Sequence, residues 1–343
     1  MARKRIAIIG LGMASGPHAK SLLDLTDRVE VATAYSPTPA RREAFAKAWG
    51  LPVSGDLDAI FSDRTIDAVM VLTPPNSHLD LVERAAAAGK HVLLEKPLEI
   101  SMQRAERLVA AAENAGVKLG VVLQHRFRPV STALAGLIAK GRLGELVSAS
   151  AKLANWRPQS YYDQPGRGTK ARDGGGVLLT QGIHTLDLLI SLAGVSEEVS
   201  GFATTTPVHR METEDLAVGV MRYPNGALGT IHATTTAYPG LPDSIELIGT
   251  KGMARIEGTK LFAAFHDGSD LEHDDGAPGG GAGADPMAFP HHHHRAVLED
   301  FLDAIEADDP ARQPKVSGRE ALKVHRLIEA LLRAAENGKR EPV

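Results

Sequence analysis

Cysteine is absent from the 343 residues, which excludes disulfides and thiolate metal sites and fits a reducing compartment. Aromatic residues are scarce, at 4%, so any local concentration of them carries information. Basic residues are not in excess: 38 Lys and Arg face 42 Asp and Glu, a formal net charge of −4. The basic face on which nucleic-acid binding normally rests is therefore missing. Long apolar runs are missing as well. The opening "MARKRIAIIGLG" starts like a signal peptide, but its apolar run covers only Ile6 to Ile9 before glycine breaks it. That is too short for a signal core or a membrane span. The expectation is a cytoplasmic protein with neither a membrane nor a nucleic-acid partner.

What is present is the composition of a soluble globular protein, 43% hydrophobic and 23% charged, in a chain long enough to call for two domains. The first third alternates short apolar runs ("RIAIIG", "VEVATAYS", "IDAVMVLTP", "HVLLEKP", "KLGVVLQ") with helical patterns. Strands apolar on both faces and separated by helices predict a parallel sheet covered on both sides, which binds ligands at the carboxyl ends of its strands. Near residue 125 the texture changes. "LVSASAKLANW", "VSGFATTTP", "LAVGVMRYP", "GALGTIHATTTA", "DSIELIGTKG" and "MARIEG" alternate in the manner of a largely antiparallel sheet. One long helical pattern, residues 176–194, interrupts them. Residues 266–286, rich in Gly and Asp, read as a mobile loop, and two helices follow at roughly 294–308 and 318–336. The domains expected are 1–124, for dinucleotide binding, and 125–343, for substrate binding and oligomerisation.

Several stretches carry residues suited to chemistry. "GLGMASG" follows the first strand, and Gly10 and Gly12, with Met13 and Ala14 in the turn, fit the approach of a pyrophosphate to a helix N-terminus. Ser15 stands where a third glycine is usual, and a tight turn in a non-binding sheet is the alternative. The second strand ends in "TAYSPTPARR", where NAD sites usually place an acid. Tyr35, Ser36, Arg41 and Arg42 stand there instead, which leans to NADP over NAD because guanidiniums accept a 2′-phosphate. The arginines read equally as a solvated helix face. "TPPNSH" puts Thr73, Pro74, Asn76 and His78 at the third strand's carboxyl end, although Pro-Asn and Ser77 also make an ordinary turn and cap.

"HVLLEKPLEI" ends a buried strand in Glu95, Lys96 and Pro97. Lys96 shares the rim with the glycine turn, where an amine can hydrogen-bond a substrate hydroxyl and stabilise the developing alkoxide. The plain alternative is a surface charge. Thr180, His184 and Asp187 are spaced four and three apart, which places them on one helix face, so that a carboxylate one turn on could hold the histidine as a proton acceptor. A core histidine is the alternative. "NWRPQSYYDQPGRGTKARD" crowds Trp156, Arg157, Tyr161, Tyr162, Arg167, Thr169, Lys170 and Arg172 into one loop. Such a loop suits a sugar, a carboxylate or a sugar nucleotide, or else an oligomer contact. The run His291–His294 cannot converge on one helix face. It reads as a helix N-terminus, and no metal site is expected.

The glycine turn, "TPPNSH", "AGKHVLLEKPL", "GGGVLLTQGIHTLDLL" and the closing "VSGREALKVHRLIEALL" together resemble the Gfo/Idh/MocA oxidoreductase family over nearly the whole chain. The resemblance implies an α/β fold: an N-terminal Rossmann domain, and a C-terminal α/β domain built on a large, mostly antiparallel open sheet that makes homodimer or homotetramer contacts. It implies NAD- or NADP-dependent oxidation of a secondary hydroxyl of a sugar, polyol, sugar acid or sugar nucleotide, with Lys96 and His184 catalytic. Cofactor contacts would include Gly10, Gly12, Thr73, Asn76, His78, Glu95 and Lys96, with Gln124 and Arg126 adjoining. Arg126, Trp156, Arg157, Tyr162, Arg167 and Thr180 join Lys96 and His184 as substrate-binding residues. Many members carry an aspartate four residues before the catalytic histidine. Thr180 stands there, and threonine cannot be a general base, which leaves proton transfer to His184 and Lys96. Asp187 would orient His184 or cap nearby backbone. The competing readings are a non-catalytic sensor of the same fold, supported by Thr180 alone, and a relative acting on an imine or a cyclic diene diol.

Overall fold

The computed structural model describes residues 3–276, 283, 290–307 and 309–343. The chain forms two compact units, Met1–Leu123 with His291–Leu322 and Gln124–Pro290 with Lys323–Val343.

In the first unit six parallel strands, β1 (Lys4–Ile9), β2 (Val29–Tyr35), β3 (Val53–Ser54), β4 (Ala68–Val71), β5 (His91–Leu94) and β6 (Leu119–Val121), lie in the order β3-β2-β1-β4-β5-β6. This is the doubly wound Rossmann arrangement, whose order reverses between β1 and β4 and opens a crevice at their carboxyl ends. The continuous apolar runs of β1, β4 and β5 are buried on both faces, as a covered parallel sheet requires. Helices α1 (Ser15–Asp24), α2 (Pro39–Trp49), α3 (Leu57–Ser62), α4 (His78–Ala87) and α5 (Met102–Asn114) connect the strands. Local chemistry fixes their ends: Pro39 opens α2, Gly50 closes it with φ 67°, and Asp56 caps α3 by accepting the Ala59 N–H at 3.0 Å. The helix His292–Glu306 packs against α1 and β5.

The second unit holds a nine-stranded sheet. Its central strand is β7 (Leu146–Trp156), followed in sequence by β8 (Glu198–Thr204), β9 (Leu216–Arg222), β10 (Leu228–Thr234), β11 (Thr236–Gly249), β12 (Gly252–Glu257), β13 (Lys260–Phe265), β14 (Asp270–Asp274) and β15 (Glu341–Pro342). The order is β14-β13-β12-β11-β7-β10-β9-β8-β15, antiparallel except where β10 pairs with β7. Helices α6 (Pro129–Ala139), α7 (Gln159–Tyr162), α8 (Lys170–Asp173), α9 (Val177–Thr180) and α10 (Ile183–Ala193) belong to this unit, with most of the helix Gly318–Asn337, and α10 packs against β7 and β11. The opposite face of the sheet leaves Phe202, Val218, Val220 and Leu228 exposed. No single helix among the described residues is long and apolar enough to cross a membrane.

Two sequence expectations change here. Part of the loop expected at 266–286 is the edge strand β14, exposed along its whole length and paired with β13 through backbone, so no apolar alternation marks it. Residues 277–282 and 284–286 of that loop lie outside the described residues. The single helix expected at 176–194 is two helices, with a 50° bend between Lys170–Thr180 and Ile183–Ala193. The carbonyl of Val177 accepts from both Gln181 N (3.2 Å) and Gly182 N (2.7 Å), a wide turn that closes α9 before α10 starts.

Gly176 sets the entry to α9. Its neighbour Val177 donates its N–H to Glu214 O at 2.8 Å, and a Cβ on Gly176 would lie 1.8 Å from that same oxygen. Gly176→Ala is therefore expected to destabilise the protein by about 3 kcal/mol, the upper range for overpacking. Urea unfolding of the variant beside wild type measures it, and an unchanged midpoint refutes the close approach.

Candidate functional site

In the first unit the carboxyl ends of β1, β4 and β5 bring together the glycine turn, "TPPNSH" and Lys96. Gly10 has φ 106°, and a Cβ there would lie 2.9 Å from the Leu72 carbonyl at the end of β4. Glycine is thus required where the two strand ends close on each other. Gly12 differs: a Cβ there would meet nothing within 4 Å, so space opens before α1. Ser15 turns inward and donates its hydroxyl to Gly12 O at 2.7 Å, while Met13 is exposed and Ala14 half-buried. At the end of β2, Ser36 is buried, and Arg42 donates to its carbonyl at 2.6 Å. Arg41 is exposed, so Arg42 is the arginine held against the strand end.

Thr73 is half-buried, with its hydroxyl accepting from Ser77 Oγ at 2.8 Å, and Pro74 and Asn76 are exposed. His78, expected among the cofactor contacts, is wholly buried at 0% exposure. Its Nε2 lies 2.8 Å from Thr73 O, and its Nδ1 lies 3.0 Å from Pro97 O and 3.2 Å from Leu98 O. Burial pushes its pKa down, against the pull of these carbonyls. The ring thus ties the end of β4 to the segment after β5.

Lys96 is half-buried and flanked by buried carboxylates. Glu95 Oε1 meets His18 Nε2 at 2.7 Å, and its Oε2 accepts the Lys96 N–H at 3.1 Å. Burial alone would raise the Glu95 pKa, but the His18 hydrogen bond and charge and the Lys96 charge outweigh it and hold the carboxyl at about 2. Glu99 accepts from Leu79 N (3.1 Å), Ile100 N (2.7 Å) and Arg104 Nη2 (2.8 Å). His294, one residue of the four-histidine run, meets His18 edge to face at 5.1 Å between centroids. Burial pushes its pKa to about 3, so it is a neutral ring. Sequence reading passed over His18 and Glu99, and it treated the histidine run only as a helix start. The signal available was a histidine on α1 just beyond the glycine turn.

In the second unit, His184 is the only residue of 182–190 that is not buried. Its ring stacks on His125 at 5.0 Å with 30° between planes. The Arg128 guanidinium contacts His125 Nε2, and because guanidinium only donates, that nitrogen accepts. His125 Nδ1 faces Asp243 Oδ2 at 3.5 Å, and Asp243 also takes Arg128 (3.3 Å) and the Thr185 hydroxyl (3.2 Å). His125, Arg128 and Asp243 were not singled out from sequence. Asp187, expected to orient His184 or cap backbone, forms a buried two-pronged pair with Arg126, Nε–Oδ2 at 2.8 Å and Nη2–Oδ1 at 2.6 Å. Thr180 lies across the helix break from His184, and its hydroxyl donates to Gly176 O at 2.6 Å. Gln124 is buried, with no hydrogen-bond partner for its Oε1 among the described residues.

The aromatic loop is organised around a buried pair, also missed from sequence, in which His209 Nδ1 lies 2.8 Å from Asp215 Oδ2. Tyr162 packs edge-on to His209 at 4.8 Å and shares a hydrogen bond with Thr235 Oγ1 at 2.9 Å, and burial pushes its hydroxyl up to about 12. Arg157 is buried, its carbonyl against His209 Nε2 at 2.8 Å. Trp156 stays half-buried beside Tyr238, and Arg167 stacks on Tyr161 at 4.2 Å.

Residues 4–123 match the family described as "Oxidoreductase family, NAD-binding Rossmann fold", and residues 132–255 match the "GFO/IDH/MocA C-terminal domain". The chain is 30% identical to an inositol 2-dehydrogenase of Rhizobium meliloti (strain 1021), over 74% of this chain and 75% of that protein. It is 27% identical to D-xylose 1-dehydrogenase (NADP(+)) 2 of Haloferax volcanii, over 90% of each. Among solved structures, the WlbA dehydrogenase from Bordetella pertussis in complex with NADH and UDP-GlcNAcA superposes with a TM-score of 0.84 at 29% identity, covering 100% of this chain and 99% of that one.

The buried neutral His294 links stability to pH. Its folded pKa of about 3 lies below the ordinary 6.5, so between these values the unfolded chain binds a proton that the folded chain refuses. The stability concerned is fully present above pH 6.5 and is lost as pH falls toward 3. Glu95, depressed from 4.5 to about 2, adds a second loss only below pH 4.5. His294→Leu is expected to lower the slope of unfolding free energy against pH between 6.5 and 4.5 by about 1.4 kcal/mol per unit at most. Urea melts across that window measure it, and an unchanged slope overturns the assignment.

Proposed function

The chain belongs to the Gfo/Idh/MocA oxidoreductase family, and on that premise we propose that it is an NAD(P)-dependent dehydrogenase oxidising a secondary hydroxyl of a sugar, sugar acid, polyol or sugar nucleotide. The observation that carries the reading is Lys96, a half-buried residue on the same sheet edge as the glycine turn, whose backbone N–H is held by the buried carboxylate of Glu95. The residues fit a nicotinamide dinucleotide: the space at Gly12 admits a pyrophosphate where a side chain would fill it, with Gly10, Met13 and Ala14 completing the turn. Thr73, Pro74, Asn76, Glu95 and Gln124 are the further contacts, with His78 acting from beneath as the tie between strand ends. At the ribose end Ser36, Arg41 and Arg42 offer positive charge and no carboxylate, which favours NADP. When bound, the cofactor supplies the hydride acceptor.

Lys96 donates to the substrate hydroxyl and stabilises the alkoxide that develops as hydride leaves, and His184 accepts the hydroxyl proton. Arg126, Trp156, Arg157, Tyr162, Arg167 and Thr180 shape the substrate side. Arg167, the one of these arginines that is not buried, favours an acidic sugar or a sugar nucleotide, and the full-length likeness to a structure holding UDP-GlcNAcA supports the same class.

Thermal shift with NAD, NADP and a panel of inositols, pentoses, acidic sugars and UDP-sugars identifies ligands, because one that binds only the native state raises apparent stability. On the substrate found, Lys96→Ala and His184→Ala are each expected to lower kcat by about 10²-fold or more while NAD(P) still binds. Wild-type turnover in both variants sinks the assignment. Cofactor binding with no turnover on any member of the panel favours a sensor instead.

We also propose that the exposed face carrying Phe202 (81% exposed), Val220 (58%) and Leu228 (59%) pairs with a second copy, since apolar patches of this kind mark association sites. Sedimentation of wild type as a dimer or tetramer, and of Phe202→Glu/Val220→Glu as a monomer, is the expected outcome. A monomeric wild type at micromolar concentration refutes it.

A further inference from the structure

We propose that His18 is a positioning residue for Lys96, acting through Glu95. The connection is continuous, buried at His18–Glu95 and part-buried where it reaches Lys96. His18 Nε2 lies 2.7 Å from Glu95 Oε1, and Glu95 Oε2 accepts the backbone N–H of Lys96 at 3.1 Å. His18 is 1% exposed, Glu95 9% and His294 5%. Glu95, held as a carboxylate, can only accept, so the proton of this contact sits on His18 Nε2. The imidazole therefore fixes one carboxylate oxygen, and the other oxygen fixes the peptide from which the Lys96 side chain departs.

The remaining nitrogen of His18 argues the same way. Nδ1 is buried with no hydrogen-bond partner among the described residues. An apolar side chain of similar size would fill the space in α1 without leaving that nitrogen bare. Keeping a histidine there is explained by what its other nitrogen holds. His294, itself buried and held as a neutral ring, stands edge-on to His18.

The same three side chains bring ligand atoms within 4.8 Å of one another, which raises the question of a metal ion. Glu95 Oε1 already accepts from His18 Nε2, so a cation bridging those two atoms would have to displace the proton between them. The geometry favours a hydrogen-bonded support for the lysine.

The proposal rests on Lys96 acting in the dehydrogenase, so its test uses one readout that needs no turnover. The rate of Lys96 acetylation by acetic anhydride, read by mass spectrometry of its peptide, is compared in wild type, His18→Ala, His18→Asn and His18→Gln. A glutamine amide can reach the carboxylate oxygen that Nε2 reaches, and the shorter asparagine cannot. His18→Ala and His18→Asn are expected to change the Lys96 rate about fivefold or more relative to the other lysines, with His18→Gln close to wild type, since a displaced amine alters its own reactivity. On a turned-over substrate, kcat is expected to fall between about tenfold and 10²-fold in His18→Ala and His18→Asn, with NAD(P) affinity nearly unchanged and His18→Gln largely restored.

Should His18→Ala fail to fold, the Asn and Gln variants still decide, and identical behaviour of those two overturns the proposal. Unchanged Lys96 reactivity in a folded His18→Ala protein also overturns it. So does stoichiometric zinc bound by the native protein and lost in His294→Ala, which would make the cluster a metal site. Absence of wild-type turnover across the panel counts against the dehydrogenase reading alone, because the acetylation rates still report on His18 and Lys96.

Discussion

A carboxylate inside a protein must be given donors or lose its charge, and the five residues from Glu95 to Glu99 place two carboxylates inside. Much of the first unit's rim follows from satisfying them. Glu95 draws on α1 through His18 and on the Lys96 peptide, and Glu99 draws on the first amide of α4 after His78 and on Arg104 of α5. His78 adds a third tie, its ring between Thr73 O and the carbonyls of Pro97 and Leu98. Lys96 and Pro97 therefore sit in a backbone held from both sides. A side chain whose peptide is fixed in this way can be aimed, and that preorganisation is what electrostatic stabilisation of an alkoxide requires.

The second unit repeats the logic with different partners. Asp187 is matched by Arg126, Asp215 by His209 and by Thr206 (N–H at 2.7 Å, hydroxyl at 2.8 Å), and Glu214 by the N–H groups of Gly176 and Leu178. Burial raises the Glu214 pKa despite those donors. These pairs hold the segments leading into α9 and α10, and they leave His184 as the one position of its stretch turned partly to solvent. The frame is polar and buried, and the reactive candidate is the exception that stays accessible.

The parts legible in sequence were those set by local pattern. Both-face apolar runs gave the parallel sheet, alternation gave the antiparallel one, and Gly10 stood where a positive φ was needed. The parts not legible depend on partners far along the chain or on elements too short to show a period. β3 has two residues and α3 six. β14 is an exposed edge held by backbone alone, so nothing in its side chains announces a strand. The spacing of Thr180, His184 and Asp187 suggested one helix face, but the doubled acceptance at Val177 O, which closes α9 before α10 begins, cannot be read from spacing. Asp187 found Arg126, His18 found Glu95, and His125 found Asp243, each a contact that only the folded chain creates.

Thr180 shows how these levels combine. The sequence raised the question of which group assists His184 when no acid precedes it. The Thr180 hydroxyl lies between two acceptors of its own turn, Gly176 O and Gln181 Oε1, so it supports the helix that ends at the break. Around the His184–His125 stack, the nearby anion Asp243 is already matched by Arg128, as Asp187 is by Arg126. On the proposed reading, His184 takes the hydroxyl proton and Lys96 stabilises the alkoxide, a division of labour that needs no aspartate at position 180.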